Sequence, residues 1–377
     1  MKIGILSLVL HTNYGGILQS YALQTVLERM GHDVIVMTRD VNHHVNLVKL
    51  LLSWIKNTFL FLLGKEAYFR NPRKENRERR EREQYTRKFI QKYIHVFEVD
   101  GFSNGLLDDM DAAIVGSDQV WRPRYFKGQW NANMTQAFLK FQKHSNIMRI
   151  AYAVSFGTDE WEFTEKETRK CGRLLKKFDA VSVRELSAIQ LCKEYLGRFD
   201  VQQTLDPTFL LDKNDYTLLV EQANTHMSNG DMMCYVLDMN EEKQQLISRI
   251  SKERGLIPFY ANSQADNTDL PNEERIQPPL EQWLRSFIDA KFVVTDSFHA
   301  CIFSIIYGKP FVVIANANRG VTRYESLLSC LNLSDHLIRT SSEYISQKDY
   351  SLSDSSRNRL DDLRQESMRF LVNALCK

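Results

Sequence analysis

His299, Ser297, Asp296, Asp118 and Arg184 each stand just past a short apolar run, where a fold can gather them. His299 follows Phe292-Val293-Val294-Thr295 and opens segment 298–307, whose spacing predicts a helix. Imidazole titrates near neutrality and can act as general acid and base in turn; the alternative is a histidine that only caps the helix. Ser297 can hydrogen-bond a ligand or serve as the N-cap. Asp118 and Asp296 are acid–base or orienting candidates, and a helix cap is the plainer reading of Asp118. Arg184, after Ala180-Val181-Ser182-Val183, has the fork that binds anions bidentately, or it pairs with Glu185 or Asp118. Arg323 is a second cation, after the last apolar run. Asn13-Tyr14-Gly15-Gly16 reads as a phosphate or sugar loop, or as a tight turn that needs glycine.

These residues need a frame of strands and helices. The opening reads strand (3–9), loop (11–16), helix (18–30), strand (34–37). Such units imply a parallel sheet with right-handed crossovers. Residues 47–95 read as a helical insertion. Buried strands follow at 112–115, 150–154 and 180–183, each ending in a polar loop. Ligands bind outside the carboxyl ends of parallel strands, so these three ends are expected to line one site. After Asp206-Pro207-Thr208 the pattern repeats: strands at 232–237, 256–260, 292–295 and 310–315, helices at 241–254, 280–289 and 298–307, then an amphipathic helix at 354–375. The expected fold is α/β: two Rossmann-like doubly wound domains facing a cleft, divided as 1–205, 206–345 and a helical tail, 346–377.

Composition narrows the function. The 377 residues carry 49 Lys and Arg against 47 Asp and Glu, so any electrostatic role must come from local clusters. One such cluster is 65–92, with eleven Lys and Arg interleaved with five Glu. This is the pattern of a solvated helix with i,i+4 pairs, and nucleic acid is not expected as a partner. Six cysteines without a C-x-x-C pair argue against zinc and a disulfide framework; no metal is expected, and free thiols fit the cytoplasm. Residues 47–63 are strongly apolar but interrupted by Lys49 and Lys56, too short an uncharged run to span a bilayer. They read as a buried or partner-covered helix, or as peripheral membrane contact at the inner face of the membrane.

Asn13-Tyr14-Gly15-Gly16-Ile17-Leu18-Gln19, Val115-Gly116-Ser117-Asp118-Gln119-Val120-Trp121, Tyr152-Ala153-Val154-Ser155-Phe156-Gly157, Ser182-Val183-Arg184-Glu185, Asp206-Pro207-Thr208 and Thr295-Asp296-Ser297-Phe298-His299-Ala300 occur in order. Together they resemble the motif blocks of the polysaccharide pyruvyl transferase family. That resemblance implies a GT-B-like fold and phosphoenolpyruvate as co-substrate, with no further cofactor. It implies transfer of the pyruvyl group to two hydroxyls of a sugar, in a polysaccharide repeat or lipid-linked oligosaccharide, giving a cyclic ketal and phosphate. By motif, Arg184 and His299 bind or process the donor. Some relatives carry Arg-Leu-His-Gly where this chain has Ser297-Phe298-His299-Ala300, and Arg323 could supply the missing cation. Two other readings use the same architecture: a sugar-nucleotide glycosyltransferase, for which the E-x7-E spacing of Glu273 and Glu281 reads as coincidence because Pro278 and Pro279 lie between them, and a non-catalytic glycan- or anion-binding protein.

Overall fold

The computed structural model describes residues 1–39, 47–64, 71–142, 146–263, 265, 267–316 and 320–376. Asn318, Arg319 and residues 65–70 of the basic stretch lie outside these. The first domain contains β1 (Lys2–Leu6), α1 (Tyr14–Arg29), β2 (Asp33–Thr38), α2 (Leu47–Leu62), α3 (Pro72–Arg82), α4 (Gln84–Tyr93), β3 (Val96–Glu98), β4 (Ala112–Val115), α5 (Pro123–Trp130), β5 (Met148–Val154), α6 (Glu165–Leu175), β6 (Ala180–Val183), α7 (Leu186–Leu196) and β7 (Gln202–Gln203). After a 3-10 turn at Pro207–Leu210 come α8 (Lys213–Glu221), β8 (Met232–Tyr235), α9 (Glu241–Arg254), β9 (Pro258–Tyr260), α10 (Leu280–Asp289), β10 (Phe292–Thr295), α11 (Phe298–Ile306), β11 (Phe311–Ile314), α12 (Thr322–Cys330), β12 (Leu337–Ile338) and α13 (Asp354–Leu375).

Two parallel sheets follow from this alternation. Strands buried on both faces need continuous apolar runs, and β4, β6, β10 and β11 are apolar or nearly so and fully buried. The first sheet has the order β3-β2-β1-β4-β5-β6-β7 and reverses direction between β1 and β4. The second has the order β12-β11-β10-β8-β9 and reverses between β8 and β10. Crevices open at such reversals, beyond the carboxyl ends of the strands. The loops after β1, β4, β8 and β10 meet across one cleft. This is the GT-B-like arrangement of two Rossmann-like α/β domains.

The structure revises some local readings. The first helix begins at Tyr14, four residues before the expected start, because the Asn13 side chain accepts from the Gly16 N–H and caps it. The helices of the insertion behave differently from one another. Phe89 and Ile90 of α4 are buried, Phe89 against Tyr21 of α1. From α3, Arg82 donates to Asn272 Oδ1 (2.8 Å) and its carbonyl accepts from the Gln277 N–H (2.9 Å), a clasp on the second domain. Helix α2 is not buried in this chain: Leu51, Leu52, Ile55, Phe59, Phe61 and Leu62 are each more than three-fifths exposed.

Helix α13 returns from the second domain to the first. Ser367 Oγ accepts from the Leu205 N–H (2.9 Å), Arg364 Nε donates to the Phe209 carbonyl (2.8 Å), and the Phe370 ring lies 6.2 Å from that of Tyr152. The tail therefore holds the segment joining the two domains. Phe370→Ala is expected to cost about 3–5 kcal/mol, as large-to-small changes in a core do. Urea unfolding should show a lower midpoint with an unchanged slope.

Candidate active site

The cleft has a volume of about 270 Å³. The first domain lines it with the loop after β1, the first turn of α1 (Tyr14, Gly15) and the loop after β4 (Asp118, Gln119); the second brings Leu237, Ser297, Phe298, His299 and Arg323. Helices α1 and α11 meet here by their N-termini. A methyl group on Gly15 would lie 2.0 Å from His299 Nδ1, so glycine is what allows the approach. First-turn N–H groups have no intrahelical acceptor, and both helix dipoles place their positive ends at the same point. Helix N-termini favour negative charge in this way.

Behind the cleft wall lies a buried charge cluster. Asp206 Oδ1 accepts from the Thr208 N–H (3.1 Å) and hydroxyl (2.8 Å). Its Oδ2 accepts from Arg184 Nη1 at 2.7 Å and lies 3.7 Å from His299 Nε2. Arg184 Nη2 reaches Asp118 Oδ1 at 3.3 Å, and Nε lies 4.0 Å from Glu185 Oε2. Burial pushes the Asp206 carboxyl up, but His299, Arg184 and the Thr208 hydroxyl outweigh it and hold it well below the carboxylate range. Asp118 is likewise raised by burial and more than compensated by Arg184, His299 and Arg323. Burial and then Arg184 lower Arg323, while the carboxylates around Arg184 overcome burial and raise it. Both guanidinium groups also lie over the Phe298 ring, at 4.5 Å for Arg184 and 5.0 Å for Arg323.

The histidine has two distinct sides. Nε2 is buried, without a hydrogen-bond partner, and faces Asp206. Nδ1 faces Gly15 at the tip of α1. Aspartate, imidazole and cleft thus stand in the order of an orienting group, a proton carrier and a substrate space.

Several predicted site residues have other places. Arg184 does not line the cleft; its side chain is 3% exposed and ion-paired with Asp206 and Asp118. The ends of β5 and β6 are covered as well, since a methyl on Gly320 of the second domain would lie 2.1 Å from the Gly157 carbonyl. Of the three strand ends expected at the site, only that of β4 reaches it. Asp118 caps no helix; it holds a left-handed backbone (φ 59°), a strained conformation for a non-glycine residue. Asp296 is sealed off from solvent, accepting from the Leu237 N–H (2.6 Å), Lys243 Nζ (2.7 Å) and Asn316 Nδ2 (3.0 Å), and so orients the loops rather than trading protons. Ser297 caps α11, its Oγ accepting from the Ala300 N–H (3.4 Å), and also faces the cleft. Tyr14 donates to the Pro278 carbonyl (2.6 Å) across the domains. Arg323 lies in the first turn of α12. Gly16 lies outside the lining, as do Glu273 and Glu281. Sequence alone gives no site role to Asp206, Glu185 or Lys243: Asp206-Pro207-Thr208 reads as a domain boundary and a motif block, Glu185 only as an ion-pair partner of Arg184.

The Asp206 carboxylate carries a testable burden. Its proton affinity is depressed in the fold, so the stability it contributes is present above the unfolded value near 3.9 and lost as pH falls below it. Asp206→Asn is expected to cost about 3–5 kcal/mol at neutral pH, because it breaks a buried pair. In melts from neutral to acid pH, the variant should lose less stability below about pH 4 than the wild type does.

Comparison with known proteins places the chain. No curated protein matches it in sequence. Solved structures are only distantly alike. An uncharacterised Klebsiella pneumoniae protein is 13% identical, with 89% of this chain and 92% of that one covered and a TM-score of 0.44. Arabidopsis thaliana UGT89C1, complexed with UDP-L-rhamnose, is 9% identical over 97% and 94%, TM-score 0.46. A Methanocaldococcus jannaschii UDP-GlcNAc 2-epimerase is 11% identical over 99% and 100%, TM-score 0.43. Likeness at this level adds nothing to the strand orders above. The sequence profile described as polysaccharide pyruvyl transferase matches residues 13–318, beginning at the cap of α1. The chain belongs to the polysaccharide pyruvyl transferase family.

Proposed function

We infer that this protein transfers the pyruvyl group of phosphoenolpyruvate to two hydroxyls of one sugar in a glycan or lipid-linked glycan precursor, from the cytoplasmic side of a membrane. The observation that carries this reading is His299 at the joint of two helix N-termini, with Asp206 behind it and Arg323 beside it. Phosphoenolpyruvate brings a carboxylate and a phosphate, roughly three negative charges near neutral pH. Arg323 and the first-turn N–H groups of α1 and α11 are the counterparts for them. Ser297 adds a hydroxyl. The second domain is then the donor side, and the loops after β1 and β4 are the acceptor side.

The reaction needs one proton carrier. The first sugar hydroxyl gives up its proton, the methylene carbon takes one, C2 becomes electrophilic, and the first sugar oxygen bonds to it. The C2–phosphate bond breaks, and the second hydroxyl closes the ketal. Two hydroxyl protons leave the sugar; one ends on the methylene carbon and one on phosphate. His299 can accept the first at Nδ1 and return it to carbon, while Asp206 stabilises the imidazolium from the Nε2 side. Asp118 orients the acceptor from the opposite wall. Arg184 acts through Asp206 and Asp118, so its removal should unsettle the fold as well as the donor site.

Calorimetric titration with phosphoenolpyruvate, beside phosphate, UDP-glucose and GDP-mannose, tests the donor. Binding is expected for phosphoenolpyruvate alone. Arg323→Met should weaken it about 10- to 100-fold, the worth of a charged hydrogen bond. His299→Gln should leave affinity within a few-fold and cut acceptor-dependent phosphate release about 10²- to 10⁴-fold. Heat only with a sugar nucleotide would overturn the reading in favour of glycosyl transfer.

A further inference from the structure

Helix α2 is amphipathic in the inverted sense. Its less exposed positions, Ser53, Asn57 and Leu60, share one face at spacings of four and three. The opposite arc carries Leu51, Trp54, Ile55, Phe59 and Leu62, 47–76% exposed. An ordinary surface helix turns its apolar stripe inward; this one presents it to the outside. A contiguous exposed apolar surface of this kind marks an interaction site.

The rest of the insertion indicates what covers it. On α3 and α4, Arg73, Lys74, Arg77, Arg80, Lys88 and Lys92 are exposed, whereas Glu81 is the only exposed acid of these two helices. Glu78 and Glu83 are drawn into i,i+4 pairs with Lys74 and Arg79. The outer surface is thus basic although the sequence alternates in sign. Sixteen residues of helix span about 24 Å, less than the ~30 Å hydrocarbon core. Among the described residues no helix is long and apolar enough to cross a membrane. A second copy of the chain would bring two basic arms together, which like-charge repulsion opposes.

We propose that α2 lies in the interface of a bilayer, its Leu51–Trp54–Phe59–Leu62 arc among the acyl chains, with the basic face of α3 and α4 drawn to anionic headgroups. The clasp of α3 on the segment around Asn272 and Gln277 ties the basic helices to the cleft wall, since Gln277 lines the cleft. An acceptor carried on a lipid would then be met at the surface where it resides.

Flotation of the full chain with vesicles of phosphatidylcholine, alone or mixed with phosphatidylglycerol, tests the proposal. Partitioning to the mixed vesicles is expected to be about tenfold stronger or more, since each basic residue near an anionic surface adds roughly 1 kcal/mol. Trp54 emission should shift to the blue, and Trp54→Phe should remove the shift. The triple variant Leu51→Glu, Phe59→Glu, Leu62→Glu should keep its melting temperature and no longer float. Arg77→Gln with Arg80→Gln should lose much of the anionic preference. A wild type that stays in the soluble fraction with both vesicles overturns the proposal. So does a concentration-dependent dimer that does not float and that the triple variant converts to monomer, which would assign the arc to a second copy. Flotation is read without turnover, so its failure would leave the donor reading standing, and failure of the donor titration would leave this one.

Discussion

Asp206 Oδ2 faces Arg184 at 2.7 Å and His299 Nε2 at 3.7 Å, and these two contacts join three parts of the chain. Arg184 ends a strand of the first sheet, Asp206 opens the segment between the domains, and His299 starts a helix of the second. An unpaired guanidinium or carboxylate at this depth would cost several kcal/mol in lost hydration. Pairing removes most of that cost only if the domains are held so that the groups meet. The registry of the two domains and the charge balance of the site are therefore one constraint. Gly15 serves it on the cleft side, where any larger residue would displace the imidazole.

Each domain fixes one of its turns with a buried carboxylate. In the first domain, Glu185 Oε1 accepts from the Ser155 hydroxyl and from the N–H groups of Phe156 and Gly157, which fixes the turn after β5 against β6. In the second, Asp296 gathers Lys243, Asn316 and the loop after β8, fixing the turn that presents Ser297 and His299. Both oxygens of Asp296 are hydrogen-bonded, and a satisfied buried network holds geometry well because every alternative leaves a group unpaired. Ser297 and His299 then sit at a helix start with little freedom, the preorganisation that the proposed transfer requires.

How much of this could be read from the residues depended on what each signal measures. Strands β4 and β10 and helix α10 were legible to the residue, because buried parallel strands appear as unbroken apolar runs and helices as a 3.6-residue stripe. The pairing of His299 with the motif at Asn13 was legible only as membership of one ordered set of blocks. Depth was not legible. Arg184 looked like a cleft residue because it follows a strand, but the second domain covers that strand end. Nor does spacing say which side of a stripe faces outward, so α2 reads as buried, as partner-covered or as a membrane contact. Asp206 looked like a boundary because Asp-Pro-Thr is turn chemistry; only the fold shows that the turn carries the carboxylate on which the site is built.

The direct test of that dependence is the tautomer of His299, observed by long-range ¹H–¹⁵N correlation in protein labelled at histidine, with the signal assigned by its loss in His299→Gln. For the uncharged form of the ring the prediction is protonation at Nε2, toward Asp206, with the Nδ1 lone pair open to the cleft, and a loss of this single tautomer in Asp206→Asn. A wild-type imidazole protonated at Nδ1, or one indifferent to the Asp206 substitution, would contradict the account.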